Sequence, residues 1–147
     1  MGSTNRNRKP AMTRMIFVNL PVRDLAASIR FYTALGFTIN PGFSDDSGAC
    51  MVWSDTIHVM LVTHAKWQTF TDRPIPDRGT SEVSLAITLD SRAEVDAMMD
   101  AAAANGGAVD VNPVQDHSFM YGRDLADPDD HIWGPFWMDP AAMPPSA

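Results

Sequence analysis

Hydrophobic positions along the chain follow two periods. Met15 to Val22 is a short apolar run interrupted by Asn19, which predicts a strand. Leu25, Ile29, Tyr32 and Leu35 then recur at helical spacing, with Asp24 placed as an N-cap and Gly36 where helices end in a left-handed residue. Strand patterns return at Phe37–Phe43, ending near Pro41-Gly42, and at Ala49–Trp53 and Ile57–Val62, which read as a hairpin turned at Ser54-Asp55-Thr56. His64–Phe70 predicts one or two helical turns, and Arg73–Gly79 is too rich in breakers for regular structure.

The same order then repeats. Val83–Leu89 predicts a strand, and Asp90 stands 66 residues after Asp24 as its counterpart. Ser91 and Glu94 have capping-box spacing; Val95, Met98, Met99 and Ala102 supply a buried stripe, and Gly106-Gly107 ends the helix. Ala108–Val111 predicts a strand, and Phe119–Leu125 with Ile132–Met138 a final hairpin turned at Asp127–Asp130. The expected organisation is a leader at 1–13, a β-α-β-β-β module at 14–71, a linker at 72–80, a second such module at 81–139 and a tail at 140–147, the modules sharing one composite domain. The leader is expected to be disordered from its polarity, and it holds no apolar stretch of the secretory kind.

Composition narrows the class. At 147 residues, with 45% apolar and 20% charged, the chain has globular values, and no apolar run approaches a membrane span. The net charge of −7 is uneven. Arg6, Arg8, Lys9 and Arg14 sit at the start without an acid, which leaves seven bases against eighteen acids, a net of −11, in the rest. Such a body repels phosphate backbones, so no nucleic-acid partner and no membrane partner is expected. The lone Cys50 forms no intrachain disulfide, and a reducing, cytoplasmic setting is expected.

Several side chains are candidates for chemistry, each with a structural alternative. Asn19, mid-strand, serves either a backbone contact or a ligand carbonyl or hydroxyl. His58 alternates with apolar residues, and His64 with Trp67 forms either a lid or surface packing. Phe119, Tyr121 and Arg123 fall on one strand face, near His117, and offer stacking, a phenol and a guanidinium if that face points inward. Trp53, Trp133 and Trp137 line either the core or a flat apolar site. Cys50 reads as a small buried apolar residue.

Asn19-Leu-Pro-Val-Arg-Asp-Leu25, with Ser28, Phe31-Tyr32 and Leu35-Gly36-Phe37, resembles the opening module of the glyoxalase/bleomycin-resistance/extradiol-dioxygenase (vicinal oxygen chelate) superfamily. Tyr121-Gly-Arg-Asp-Leu-Ala-Asp-Pro-Asp-Asp-His-Ile-Trp133 is similar to its closing hairpin, with Asp130 where Gly is usual; Asp is among the residues that tolerate positive φ. The resemblance implies an α+β fold of two tandem βαβββ modules forming a cup-shaped, barrel-like mixed sheet with helices outside. It also implies a metal held in the metalloenzymes by His, Gln or Glu at positions that here are Phe17, Met60, Val83 and Gly134. None of the four supplies an imidazole or carboxylate, so neither metal nor cofactor is expected. His131 is expected to fix the closing turn by hydrogen bonding. The expected function is binding of a small, partly aromatic or apolar molecule, with Asn19, Trp53, His58, Met60, Phe119, Tyr121, Arg123 and Trp133 as ligand-binding residues, in a homodimer. The alternatives are a lyase, isomerase or dioxygenase of the same superfamily and a non-catalytic dimeric interaction protein.

Overall fold

The computed structural model describes residues 13–142. The expected leader, apart from Thr13, and the last five residues of the expected tail lie outside them. Strand β1 (Ile16–Val22) leads into helix α1 (Leu25–Ala34), then β2 (Thr38–Asp45), β3 (Gly48–Ser54), β4 (Ile57–Thr63) and a single-turn helix α2 (His64–Trp67). After the irregular stretch come β5 (Ser84–Thr88), α3 (Arg92–Ala104), β6 (Ala108–Val109), β7 (Gln115–His117), β8 (Met120–Gly122), β9 (Leu125–Ala126) and β10 (Ile132–Met138), with a 3-10 turn at Pro140–Ala142.

The local chemistry explains the boundaries. Asp24 accepts from the Ala27 amide at 3.1 Å and starts α1, while Gly36 at φ +109° turns the chain out of it. Ser91 caps α3 by accepting from the Glu94 amide at 3.1 Å. The returning carboxylate of Glu94 takes the amide of Asp90, at 2.6 Å, rather than that of Ser91 as in the expected capping box. The cap of the second helix is therefore one residue later than the Asp24 counterpart. Strand β2 runs past Pro41-Gly42 to Asp45, with an irregularity between Asn40 and Asp45. It is an edge strand, where the missing proline N–H costs no ladder bond.

The first sheet has the order β1-β4-β3-β2, with β1 parallel to β4 and the rest antiparallel. In the second, β5 lies parallel to β10, and β10 pairs antiparallel with both β8 and β9, which pair in turn with β7 and β6. This is the first sheet's order with its second and third strands each broken in two. The expected strand at 108–111 stops at Val109 because Asp110 turns left-handed at φ +52°. The expected strand at 119–125 breaks at Arg123-Asp124, where the Arg123 amide still reaches the Pro135 carbonyl at 3.2 Å. The result is an α+β fold of two βαβββ modules, their helices packed on one side of the curved sheets.

One core serves both modules. Phe31, Tyr32, Phe37 and Leu61 of the first cluster with Met99, Leu125 and Trp133 of the second. The turn at Asp127–His131 fastens them. Asp127, 2% exposed, accepts from the Asp129 and His131 amides and from the Tyr32 phenol at 2.6 Å, while Trp133 Nε1 donates to the Tyr32 oxygen at 2.9 Å. His131 Nε2 lies 2.9 Å from the Pro21 carbonyl, and Arg23 pairs with Asp129 at 3.1 Å. Asp130 takes the left-handed conformation, φ +71°, that its place in the turn required. Among the described residues no helix is long and apolar enough to cross a membrane.

Candidate functional site

Strand pairing sorts the first sheet into two faces. Val59 and Leu61 of β4 and Met51 of β3 join the core beneath α1. The opposite face carries two cross-strand rows. One is Phe17, His58 and Val52; the other is Asn19, Met60 and Cys50. Asn19, His58 and Met60, three of the expected ligand-binding residues, therefore stand together.

The face is apolar with a few oriented polar groups. Phe17 is half exposed and stacks on the His58 ring, centroids 4.6 Å apart and planes 12° from parallel. His58 Nε2 lies 3.2 Å from the Asp55 carbonyl, which only accepts, so Nε2 carries the hydrogen. Nδ1 is then the lone-pair nitrogen, 4.0 Å from Cys50 Sγ. Burial pushes the Cys50 thiol up. The Asn19 amide nitrogen makes a long 3.4 Å contact to the Phe17 carbonyl, and its oxygen takes no hydrogen bond among the described residues.

The residues at the superfamily's metal positions do not fit a divalent ion of the Mn, Fe, Ni or Zn kind. Phe17 and Met60 offer a ring and a thioether, and Val83 is an exposed apolar side chain just before β5. At Gly134 the space itself is taken: a Cβ there would lie 2.8 Å from Asp124 Oδ1. Asn112 holds that carboxylate in place, donating to Oδ2 at 2.8 Å. Among the described residues no three His, Cys, Asp or Glu side chains converge.

The other expected site residues lie elsewhere. Trp133 is 2% exposed and packs against Tyr32 and Phe37, and Trp53 packs against Phe37. Tyr121 and Arg123 turn toward α3: both reach Asp96 Oδ1, at 2.6 and 2.9 Å. Trp137 lies on the same side, under the Arg92 guanidinium. Phe119 stacks on His117 in the β7–β8 turn, and both are exposed. Phe119 thus lies outside the strand, in the exposed turn; Tyr121 and Arg123 do share a face, but it is the helix-packed one. The signal that identifies it is Asp96 on the polar side of α3, complementary to Arg123. His64 lines a crevice of about 560 Å³ between β1 and β5, bounded by Asn19, Ile75, Val83 and Ile132. Trp67 does not reach it.

Arg123 grips Asp110 with both prongs, at 2.9 and 2.7 Å, which holds that residue in its left-handed conformation. The Arg123 hydrogen bonds keep the Asp110 carboxyl below its usual range; the Tyr121 phenol, then Arg123, do the same for Asp96. Depressed carboxyl pKa values give stability that is present above the unfolded Asp value of about 3.9 and lost as pH falls through the folded values. Arg123→Ala is accordingly expected to flatten the fall in melting temperature below about pH 4, a difference read by thermal melts from pH 2 to 7. Parallel profiles in wild type and variant would contradict it.

Residues 14–54 match the family model described as Bleomycin resistance protein-like N-terminal. Comparison with curated proteins finds no match. Among solved structures, the chain is similar to a hypothetical protein from S. aureus, at 27% identity and TM-score 0.72, over 86% of this chain and 95% of that one. It is also similar to a glyoxalase/bleomycin resistance protein from Albidiferax ferrireducens T118, at 26% identity and TM-score 0.63, over 82% and 95%. A glyoxalase-related enzyme from Fulvimarina pelagi shares the fold at 23% identity and TM-score 0.72, over 92% and 94%. Residues 14–54 thus match a bleomycin-resistance-like N-terminal module, and the chain as a whole shares the two-module fold of the glyoxalase/bleomycin resistance/dioxygenase structures.

Proposed function

We propose that this protein binds a small, partly aromatic or apolar molecule on the open face of the first sheet, without the divalent ion of the superfamily's metalloenzymes. The observation that carries this reading is the shelf formed by Phe17 stacked on His58, with the unengaged Asn19 side-chain oxygen beside it and Met60 behind. A flat ring lies on such a shelf by offset stacking, and one polar anchor fixes its orientation. Because the free atom of Asn19 is an acceptor, the reading favours ligands with a hydroxyl or N–H donor next to the ring. A lyase or isomerase reading would rest on His58, whose Nε2 donates to the Asp55 carbonyl and whose Nδ1 lone pair faces Cys50 Sγ at 4.0 Å.

The protein works, on this reading, as a homodimer in the cytoplasm. Ile16 and Phe17 on β1 and Ile39 and Phe43 on β2 leave apolar side chains exposed at the two edge strands of the first sheet, edges that pairing with a second copy would cover.

Ligand-observed NMR with simple phenols and anilines tests the site. Binding is expected, and Asn19→Ala should weaken it about fivefold, the value of one hydrogen bond of about 1 kcal/mol. Phe17→Ala should abolish it at the same concentrations. An absence of binding, or affinities unmoved by both substitutions, would overturn the reading.

A further inference from the structure

We infer that Cys50, His58 and Met60 form a binding site for a single soft monovalent ion, copper(I). Cys50 on β3 stands directly opposite Met60 on β4, and His58 lies one row along on the same face. Directly opposed side chains have Cβ atoms about 4.5–5.5 Å apart, within the span of two ligands to one ion. The register thus brings a thiol, a thioether and an imidazole to neighbouring positions on one face of the sheet.

The histidine is set for coordination. Its Nε2 hydrogen is committed to the Asp55 carbonyl, which leaves the Nδ1 lone pair facing the Cys50 sulfur at 4.0 Å. Donation of the remote ring N–H to a backbone carbonyl is the usual way a metal-bound imidazole is oriented. With metal–sulfur and metal–nitrogen bonds of about 2.3 and 2.05 Å, that 4.0 Å separation gives an angle of about 134° at the ion. This is wider than a tetrahedral angle and suits a low-coordinate, trigonal or bent ion.

The donor set selects the metal. Thiolate and thioether sulfur favour copper(I), whereas magnesium, calcium and manganese take oxygen, and structural zinc takes four ligands of the Cys, His or carboxylate type. Cys50 is 2% exposed, and Phe17 covers the histidine ring, so the bound ion is shielded from water. On binding, the copper–sulfur bond replaces the sulfur–hydrogen bond, the proton goes to solvent, and the ion stays in the +1 state. The copper site shares His58 and Met60 with the small-molecule shelf, but its readout turns on Cys50 and that of the shelf on Phe17 and Asn19, so failure of either is read separately.

The full chain, titrated anaerobically with copper(I) against the chromophoric chelator bicinchoninate, should retain one ion per chain. Cys50→Ser should weaken retention about 100-fold or more, and the volume-conserving Met60→Leu about tenfold. X-ray absorption of the loaded protein should show sulfur and nitrogen scatterers at about 2.0–2.3 Å. Copper retention by the wild type no better than by Cys50→Ser, or Met60→Leu binding at wild-type affinity, would overturn the site. Should Cys50→Ser unfold, Met60→Leu and the absorption spectrum decide.

Discussion

Replacing Trp133 with alanine should lower the unfolding free energy by about 3–5 kcal/mol, the usual cost of deleting a large buried aromatic ring. For a chain of this length that corresponds to a melting-temperature drop of roughly 10 °C, read by circular dichroism or calorimetry. The size follows from position. Trp133 belongs to the second module, yet it packs edge-on to Tyr32 and Phe37 of the first, and its indole N–H satisfies the Tyr32 oxygen. Its loss opens a cavity where the two modules share a core. Trp133→Phe keeps most of the packing and removes the hydrogen bond, so about 1 kcal/mol should separate it from further cavity loss. A Trp133→Ala protein within 1 kcal/mol of the wild type would mean that the ring does not join the modules.

Asp127→Ala should cost about 3 kcal/mol, because three donors lose their acceptor at once. They are the Tyr32 phenol and the Asp129 and His131 amides. Asp127→Asn is not a quiet substitute. Its amide would present N–H groups to a phenol oxygen that already accepts from Trp133. Burial pushes the Asp127 carboxyl up, so its contribution is complete at acid pH and declines as pH rises through the raised folded value. This is the opposite sign to Asp96 and Asp110. Asp127→Ala should therefore show its largest loss on the acid side, measured by urea unfolding at pH 4 and pH 8. Because Asp127 and Trp133 both hold the Tyr32 phenol, their effects should fall short of additivity by about 0.5–3 kcal/mol in a double-mutant cycle.

The sequence made the order of elements legible because its signals are local. Asp24, Gly36 and Ser91 act within one helical turn of themselves, and each stands where the structure uses it. The breaks in the second sheet were not legible, because the left-handed turn at Asp110 is tied to a grip from Arg123, thirteen residues away. The candidate site divided along the same line. Alternation told which residues share a face but not which face is covered. Tyr121, Arg123 and Trp133 went to the helix side, while Asn19, His58 and Met60 stayed on the open one. Trp133 adjoins Gly134 on its strand, so the two point to opposite faces; the inward place that the resemblance implied for Gly134 already put Trp133 on the other side. Cys50 was readable too. Counting outward from the turn at Ser54–Thr56 puts it across from Met60, a pairing that reading it alone as a small apolar residue passed over.

The fastening at Asp127–His131 also sets a timetable for biosynthesis. Pro21, Arg23 and Tyr32 leave the ribosome about a hundred residues before the groups that satisfy them, His131, Asp129 and Asp127, at separations of 110, 106 and 95. Until those arrive, the first module carries a phenol without its acceptor and a core without its tryptophan. Loop closure over that span is slow relative to local helix formation. Nascent chains halted before residue 127 should therefore be the ones that chaperones hold and proteases clear.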